Sequence, residues 1–220
     1  MKRVKIKRKK KIVFHTIFII FVSIFCLAIQ KSVKRSYWNL PIKTENRQSD
    51  LQLKLTGIGN FGVLRKARPN IPAHFHTGID IKRPNPNYIN EPVYAAAPGI
   101  VISMRDDGPY AQIIVEHSIN GQLLWTVYEH VAGIKISLNQ PVDENTIIAR
   151  FMNRDELDSF GWHFDHFHFE IMKAEPIPVK PNNRLPMWKF GTHCLTCYSE
   201  DELHQKYFNP VEFLNRQWEE

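Results

Sequence analysis

Ala111-Gln112-Ile113-Ile114-Val115-Glu116-His117 and Leu123-Leu124-Trp125-Thr126-Val127-Tyr128 are two short apolar runs on either side of Asn120-Gly121. A type I′ turn needs positive φ at both central residues, which Asn and Gly tolerate, so the dipeptide joins the runs into a β-hairpin. Working outward, Pro92-Val93-Tyr94-Ala95-Ala96-Ala97 stops at Pro98-Gly99, and Ile100-Val101-Ile102-Ser103-Met104 resumes. No ten-residue amphipathic helical pattern interrupts residues 51–175. Ser199-Glu200-Asp201-Glu202 has the Ser-x-x-Glu spacing of a capping box and predicts one short C-terminal helix. The expected fold is all-β, a mainly antiparallel sheet or sandwich.

The chain has 220 residues and a net charge of +7. Eight of its 29 basic residues lie in the first eleven positions, leaving 21 basic against 22 acidic side chains beyond them. The basic tract abuts Ile12 to Ile29, eighteen residues without Asp, Glu, Lys or Arg. A basic tract can mark a nucleic-acid partner, but its position against this run argues for a membrane instead. As a helix the run is roughly 27 Å long, just short of a ~30 Å hydrocarbon core. It is longer than the ~7–15 residue centre of a secretory signal and lacks a good Ala-x-Ala end. An uncleaved anchor is favoured over a cleaved signal, and bulky Phe25 ahead of Cys26 argues against a lipoprotein. The basic flank puts the N-terminus in the cytoplasm and the remainder outside it. Residues 1–30 are thus the expected tail and anchor, 31–50 a polar spacer, and 51–220 the working domain, with a Pro- and Asn-rich insertion at about 173–208. Within that insertion Cys194-Leu195-Thr196-Cys197 offers two thiols. Outside the cytoplasm a disulfide is preferred for them over a structural zinc, for which no further ligands are apparent.

Two windows hold five of the ten histidines: His74-Phe75-His76-Thr77-Gly78-Ile79-Asp80 and His163-Phe164-Asp165-His166-Phe167-His168-Phe169-Glu170. Side chains alternate across a strand, so His166, His168 and Glu170 share one face while Phe167, Phe169 and Ile171 take the core face. Both imidazoles can bind one metal, or one binds while the other faces a substrate. The bland alternative is an exposed face that carries two histidines. On a straight strand His76 and Asp80 lie about 13 Å apart, too far to share an ion, so a bend at Gly78 is required. Alone, Asp80 reads as a turn carboxylate. Together, His76, Asp80 and His168 form a set of two imidazoles and one carboxylate that suits one Zn2+ with a fourth position open to water. The helical His-Glu-x-x-His motif is absent, so proton transfer falls to neutral imidazoles. His166 is a candidate for that work, as is His130, which ends another apolar run.

These residues resemble the lysostaphin-type (LytM-type) zinc endopeptidases that cut peptidoglycan peptides. The resemblance runs from about Gly59 to Glu170, with a weaker echo at Asn209-Pro210. It is carried by Phe61-Gly62-Val63-Leu64-Arg65, by His76 with Asp80, by Val93-Tyr94-Ala95-Ala96-Ala97-Pro98-Gly99-Ile100-Val101, by Tyr128-Glu129-His130 and by His166-Phe167-His168. It implies a β-sheet core with a groove over the metal, His76, Asp80 and His168 as zinc ligands, and His130 and His166 as catalytic histidines. Phe164-Asp165 replaces the Gly-Pro that relatives often carry, and strand alternation turns Asp165 away from the site. His74 and His163 are each either an extra ligand or, as preferred, an exposed loop residue beside the site. Glu170 is either a hydrogen-bond partner of a ligand's second nitrogen or a surface carboxylate.

The implied activity is zinc-dependent hydrolysis of peptide bonds in peptidoglycan crosslinks or stem peptides, outside the cytoplasm, with no nucleic-acid partner. The alternative is a catalytically silent module that binds and activates a cell-wall amidase. A metal carrier ranks last, because alternating strands build a fixed groove rather than a flexible His-rich tract.

Overall fold

The computed structural model describes residues 36–69, 72–177 and 197–219. The Ile12–Ile29 run, Cys194 and most of the Pro-rich insertion lie outside these residues. Among the described residues no helix is long and apolar enough to cross a membrane.

The expected hairpin is the centre of the fold. Strands β6 (Gln112–Ile119) and β7 (Gln122–Glu129) pair in register through Ile119 and Gln122, and Asn120 and Gly121 have φ of 53° and 77°. Both signs are those of a type I′ turn. A seven-stranded antiparallel sheet grows on either side of this pair. Beyond β6 lie β5 (Gly99–Arg105) and β9 (Pro141–Val142); beyond β7 lie β11 (His166–Met172) and β12 (Tyr207–Phe208), and β3 (Ile79–Lys82) also pairs with β11. A three-stranded sheet orders β4 (Pro92–Tyr94), β10 (Ile147–Phe151) and β8 (Val131–Ala132), and a small ribbon joins β1 (Leu64–Arg65) to β2 (His74–Phe75). Phe167, Phe169 and Ile171 are fully buried on the face expected for them. Each burial contributes on the order of 2 kcal/mol, which fixes the face that their histidine neighbours take.

Among the described residues three short α-helices accompany the sheets where one C-terminal helix was expected. Helix α1 (Arg154–Phe160) opens with a full capping box: Asn153 Oδ1 accepts from Glu156 N and Glu156 Oε2 accepts from Asn153 N. Helix α2 (Glu200–Lys206) starts where Ser199 predicts, with Ser199 Oγ accepting from Glu202 N. Its box is half-made, because Glu202 reaches back to Tyr198 N instead. Helix α3 (Pro210–Glu219) has Pro at its first position, and Asn209 Oδ1 accepts from Val211 N.

The spacer expected at 31–50 is corrected over its described part. Trp38, Leu40 and Ile42 are buried in the main core, Ile42 bridges to Val93, and Trp218 of α3 donates to the Trp38 carbonyl at 2.8 Å. Alternating apolar residues inside a polar stretch make this segment part of the domain from Ser36 onward.

Candidate metal centre

His168 lies in the middle of the pairing, with Asp80 of β3 opposite it on one side and Glu129 of β7 on the other. Directly opposed residues in an antiparallel pair hold their Cβ atoms about 5 Å apart, so register alone brings His168 and Asp80 together. His76 comes from the loop before β3. Gly78 makes that approach possible, though through space rather than backbone freedom. A Cβ there would stand 2.2 Å from the Phe169 carbonyl oxygen and 2.9 Å from His168 Cε1.

The result is a triangle of donor atoms. His76 Nε2 is 3.0 Å from Asp80 Oδ1 and 2.9 Å from His168 Nδ1, and His168 Nδ1 is 3.1 Å from Asp80 Oδ1. All three residues are buried. The remaining polar atoms are tied outward. His76 Nδ1–H donates to the Asn60 carbonyl at 2.9 Å, and His168 Nε2–H donates to Glu170 Oε1 at 2.9 Å. Arg65 donates to Asp80 Oδ2 at 2.7 Å. Thr77 Oγ1 also donates to Glu170 Oε1. These outward bonds fix the tautomers so that two nitrogen lone pairs and one carboxylate oxygen converge on one point. Such a set of buried donors could hold a metal ion. Donors in a tetrahedral site with ~2.0–2.1 Å bonds stand roughly 3.3 Å apart, so the triangle is close to the size a zinc ion requires.

The electrostatics agree. Burial works to raise the Asp80 pKa, but hydrogen bonds and charge from His168 and His76 outweigh it and hold the carboxyl well below the usual range. Burial works to lower His168, yet Asp80 and Glu170 outweigh it and push the ring up to about 10. Two carboxylates therefore favour positive charge at this imidazole, whether a proton or a metal carries it. His76 shifts the other way, lowered chiefly by burial.

His166 and His130 stand beside the triangle. His166 Nε2 is 3.8 Å from Asp80 Oδ1, and the His166 and His130 rings meet edge to face with centroids 5.3 Å apart. Burial lowers each to about 4, so both are neutral at pH 7. A groove of about 740 Å3 runs over these residues and is also lined by Ile58, Leu64, Tyr110 and Phe164.

The structure settles the neighbouring residues. Glu170 is 1% exposed and pairs with the His168 ring nitrogen, so it is not a surface carboxylate. His74 is buried, its Nδ1–H donating to the Pro72 carbonyl, which corrects the exposed position expected for it. His163 is exposed, as expected. Asp165 turns away and pairs with Arg83, which also donates to the Met152 and Asn87 carbonyls. Cys197 is a buried free thiol, while its expected partner Cys194 lies outside the described residues. Sequence reasoning overlooked Thr77 and the Asn60 carbonyl as supports of the site. A threonine beside a ligand histidine carries no distinctive signal, and a backbone carbonyl carries none at all.

Residues 74–181 match the model of peptidase family M23. No curated protein is similar enough to count as a match. Several solved structures are similar in part. A zinc-containing peptidase from Vibrio cholerae is 25% identical, with 62% of this chain and 36% of that one covered and a TM-score of 0.43. The antimicrobial peptidase lysostaphin from Staphylococcus simulans is 16% identical, covering 83% and 55% with a TM-score of 0.45. The catalytic domain of the prophage-encoded M23 protein EnpA from Enterococcus faecalis is 22% identical, covering 56% and 82% with a TM-score of 0.38. The match spans about a third of the Vibrio cholerae chain and just over half of lysostaphin.

Proposed function

We propose that this chain is a zinc-dependent endopeptidase that hydrolyses peptide bonds in peptidoglycan crosslinks or stem peptides. The observation that carries this reading is the triangle of His76 Nε2, Asp80 Oδ1 and His168 Nδ1, all within 3.1 Å of one another at the floor of an open groove. Zinc held there would supply Lewis-acid polarisation of the scissile carbonyl and would make a water a stronger acid. The remaining work belongs to the chain. Neutral His130 and His166 can each accept a proton at a ring nitrogen, return it to the leaving amine, and donate to the oxygen that gains charge. Arg65 holds the outer oxygen of Asp80, so the inner one keeps its aim. Ile58, Leu64 and Tyr110 give the groove exposed apolar walls against which a peptide can lie. The N-terminal basic tract and apolar run support an anchor in the cell membrane with the domain on its outer side.

The test is incubation of the full chain with crosslinked muropeptide dimers, read by mass spectrometry, with zinc and with a chelator. Zinc-dependent conversion of dimers to monomers is expected, and His168→Ala should abolish it. Intact dimers despite one bound zinc per chain would overturn the enzyme reading and favour the silent module that activates an amidase.

A further inference from the structure

His130 adopts a backbone conformation that L side chains disfavour. It follows the end of β7 with φ of 61°, in the left-handed region. Such a residue stays in place when its surroundings over-determine it. Its ring Nδ1–H donates to the Pro109 carbonyl at 2.5 Å, which leaves Nε2 as the bare nitrogen. Pro109 lies in the 3-10 turn Gly108–Tyr110, on a short excursion between β5 and β6. The orientation and tautomer of His130 therefore depend on where that turn sits.

The turn is held from below by a buried ion pair. Arg105, the last residue of β5, donates from Nε to the Tyr110 carbonyl at 3.0 Å and from its terminal nitrogen to Glu129 Oε1 at 3.3 Å. Glu129, which immediately precedes His130, also accepts from Gln112 Nε2 at 2.6 Å. The side chains of Arg105 and Glu129 are 5% and 3% exposed. A buried pair of this kind contributes little stability that well-packed apolar side chains would not match. An apolar pair cannot, however, tie the turn's carbonyl to the strand residue beside His130. The planar fork of arginine can, because its donors point in fixed and different directions.

We propose that Arg105, braced by Glu129, is a positioning residue. It locks the Pro109–Tyr110 turn and so keeps the His130 proton on Nδ1 and its Nε2 bare toward the groove. This rests on the peptidase reading for its consequence in catalysis but not for its geometry.

The experiment compares the full zinc-loaded chain with Arg105→Lys, which keeps a charge for Glu129 and loses the second arm to Tyr110. A second variant, Arg105→Met with Glu129→Gln, leaves no buried unpaired charge and carries the test if the first fails to fold. Nitrogen-15 NMR of the His130 ring is expected to show one tautomer, protonated on Nδ1, in the parent chain and a mixture in either variant. Bound zinc should stay at one per chain, and kcat on muropeptide dimers should fall on the order of tenfold with KM within about twofold. A variant ring that remains wholly Nδ1-protonated, or an unchanged kcat, overturns the proposal. If the parent chain cleaves nothing, the peptidase reading fails by itself, and the ring tautomer still decides the role of Arg105.

Discussion

Glu170→Gln offers a direct measure of how far the support of His168 matters. The carboxylate accepts from His168 Nε2 and from Thr77 Oγ1 in a place 1% exposed. Glutamine keeps an acceptor oxygen and the shape but removes the negative charge that makes the imidazole a better donor to a metal. Loss of such an outer partner typically weakens metal affinity by about 10–100-fold. At free zinc one hundred times the parent Kd, binding stabilises the parent fold by ~2.7 kcal/mol, and a hundredfold weaker site leaves ~0.4 kcal/mol. For a domain of this size each kcal/mol moves Tm by about 2–4 °C, so the zinc-induced rise should shrink from roughly 5–11 °C to roughly 1–2 °C. The assay is thermal melting of each protein with zinc and with chelator, which cancels any cost of the substitution to the metal-free fold. Competition with a chelating indicator gives the Kd independently. Equal zinc-induced shifts, with a Kd within twofold of the parent, would refute the assignment of Glu170 as a support of the metal ligand.

Three further outcomes are expected. His117 is fully buried, donates from Nδ1 to the Pro98 carbonyl, meets Thr126 Oγ1 through Nε2, and is lowered to about 4 by burial. Because the unfolded chain takes up its proton near pH 6.5 and the folded chain does not, stability is full above pH 6.5. It falls by roughly 3 kcal/mol on acidification to pH 4, and urea melts of His117→Gln should lack that part of the slope. His130 and His166, each lowered to about 4 mainly by burial, are neutral above that pH and charged below it. The acid limb of kcat for muropeptide cleavage should therefore fall near pH 4, and a limb at 6.5 would contradict their burial. Gly78→Ala places a Cβ 2.2 Å from the Phe169 carbonyl oxygen, which is backbone and cannot swing away. A cost on the order of 3 kcal/mol is expected in denaturant melts, together with loss of stoichiometric zinc.

Local chemistry explains what the sequence could reveal. Asn120-Gly121 encodes its turn in two residues, and alternation from His166 to Glu170 encodes which side chains face the sheet's outer side. Neither depends on distant parts of the chain. Trp38, Leu40 and Ile42 also alternate, yet they sit among polar residues, so the composition around them reads as a spacer while the period of two reads as a strand. Helix α1 carries a complete Asn-x-x-Glu cap in only seven residues, too few for a 3.6-residue period to register. Gly78 was legible as a necessary glycine for the wrong reason, since the close approach of Phe169 is invisible until β3 and β11 pair. Glu170 faced the right way from sequence alone, but whether that face is wet or dry depends on the Cys197 segment and on the loop through Thr77.

The arrangement of charge around His168 favours a cation at that imidazole more than it favours folding. Asp80 and Glu170 are buried carboxylates flanking one imidazole, and Arg105 and Glu129 form a second buried ion pair one strand away. Apolar side chains of similar volume would fill the same space without the cost of desolvating five ionisable groups. On the opposite face of the same strand, Phe167, Phe169 and Ile171 do fill their space in that way. A strand that packs aromatics on one side and polarised imidazoles on the other holds its register through the first and spends the stability on the second. A one-residue slip of β11 would exchange the two faces and leave His166 and His168 in the core.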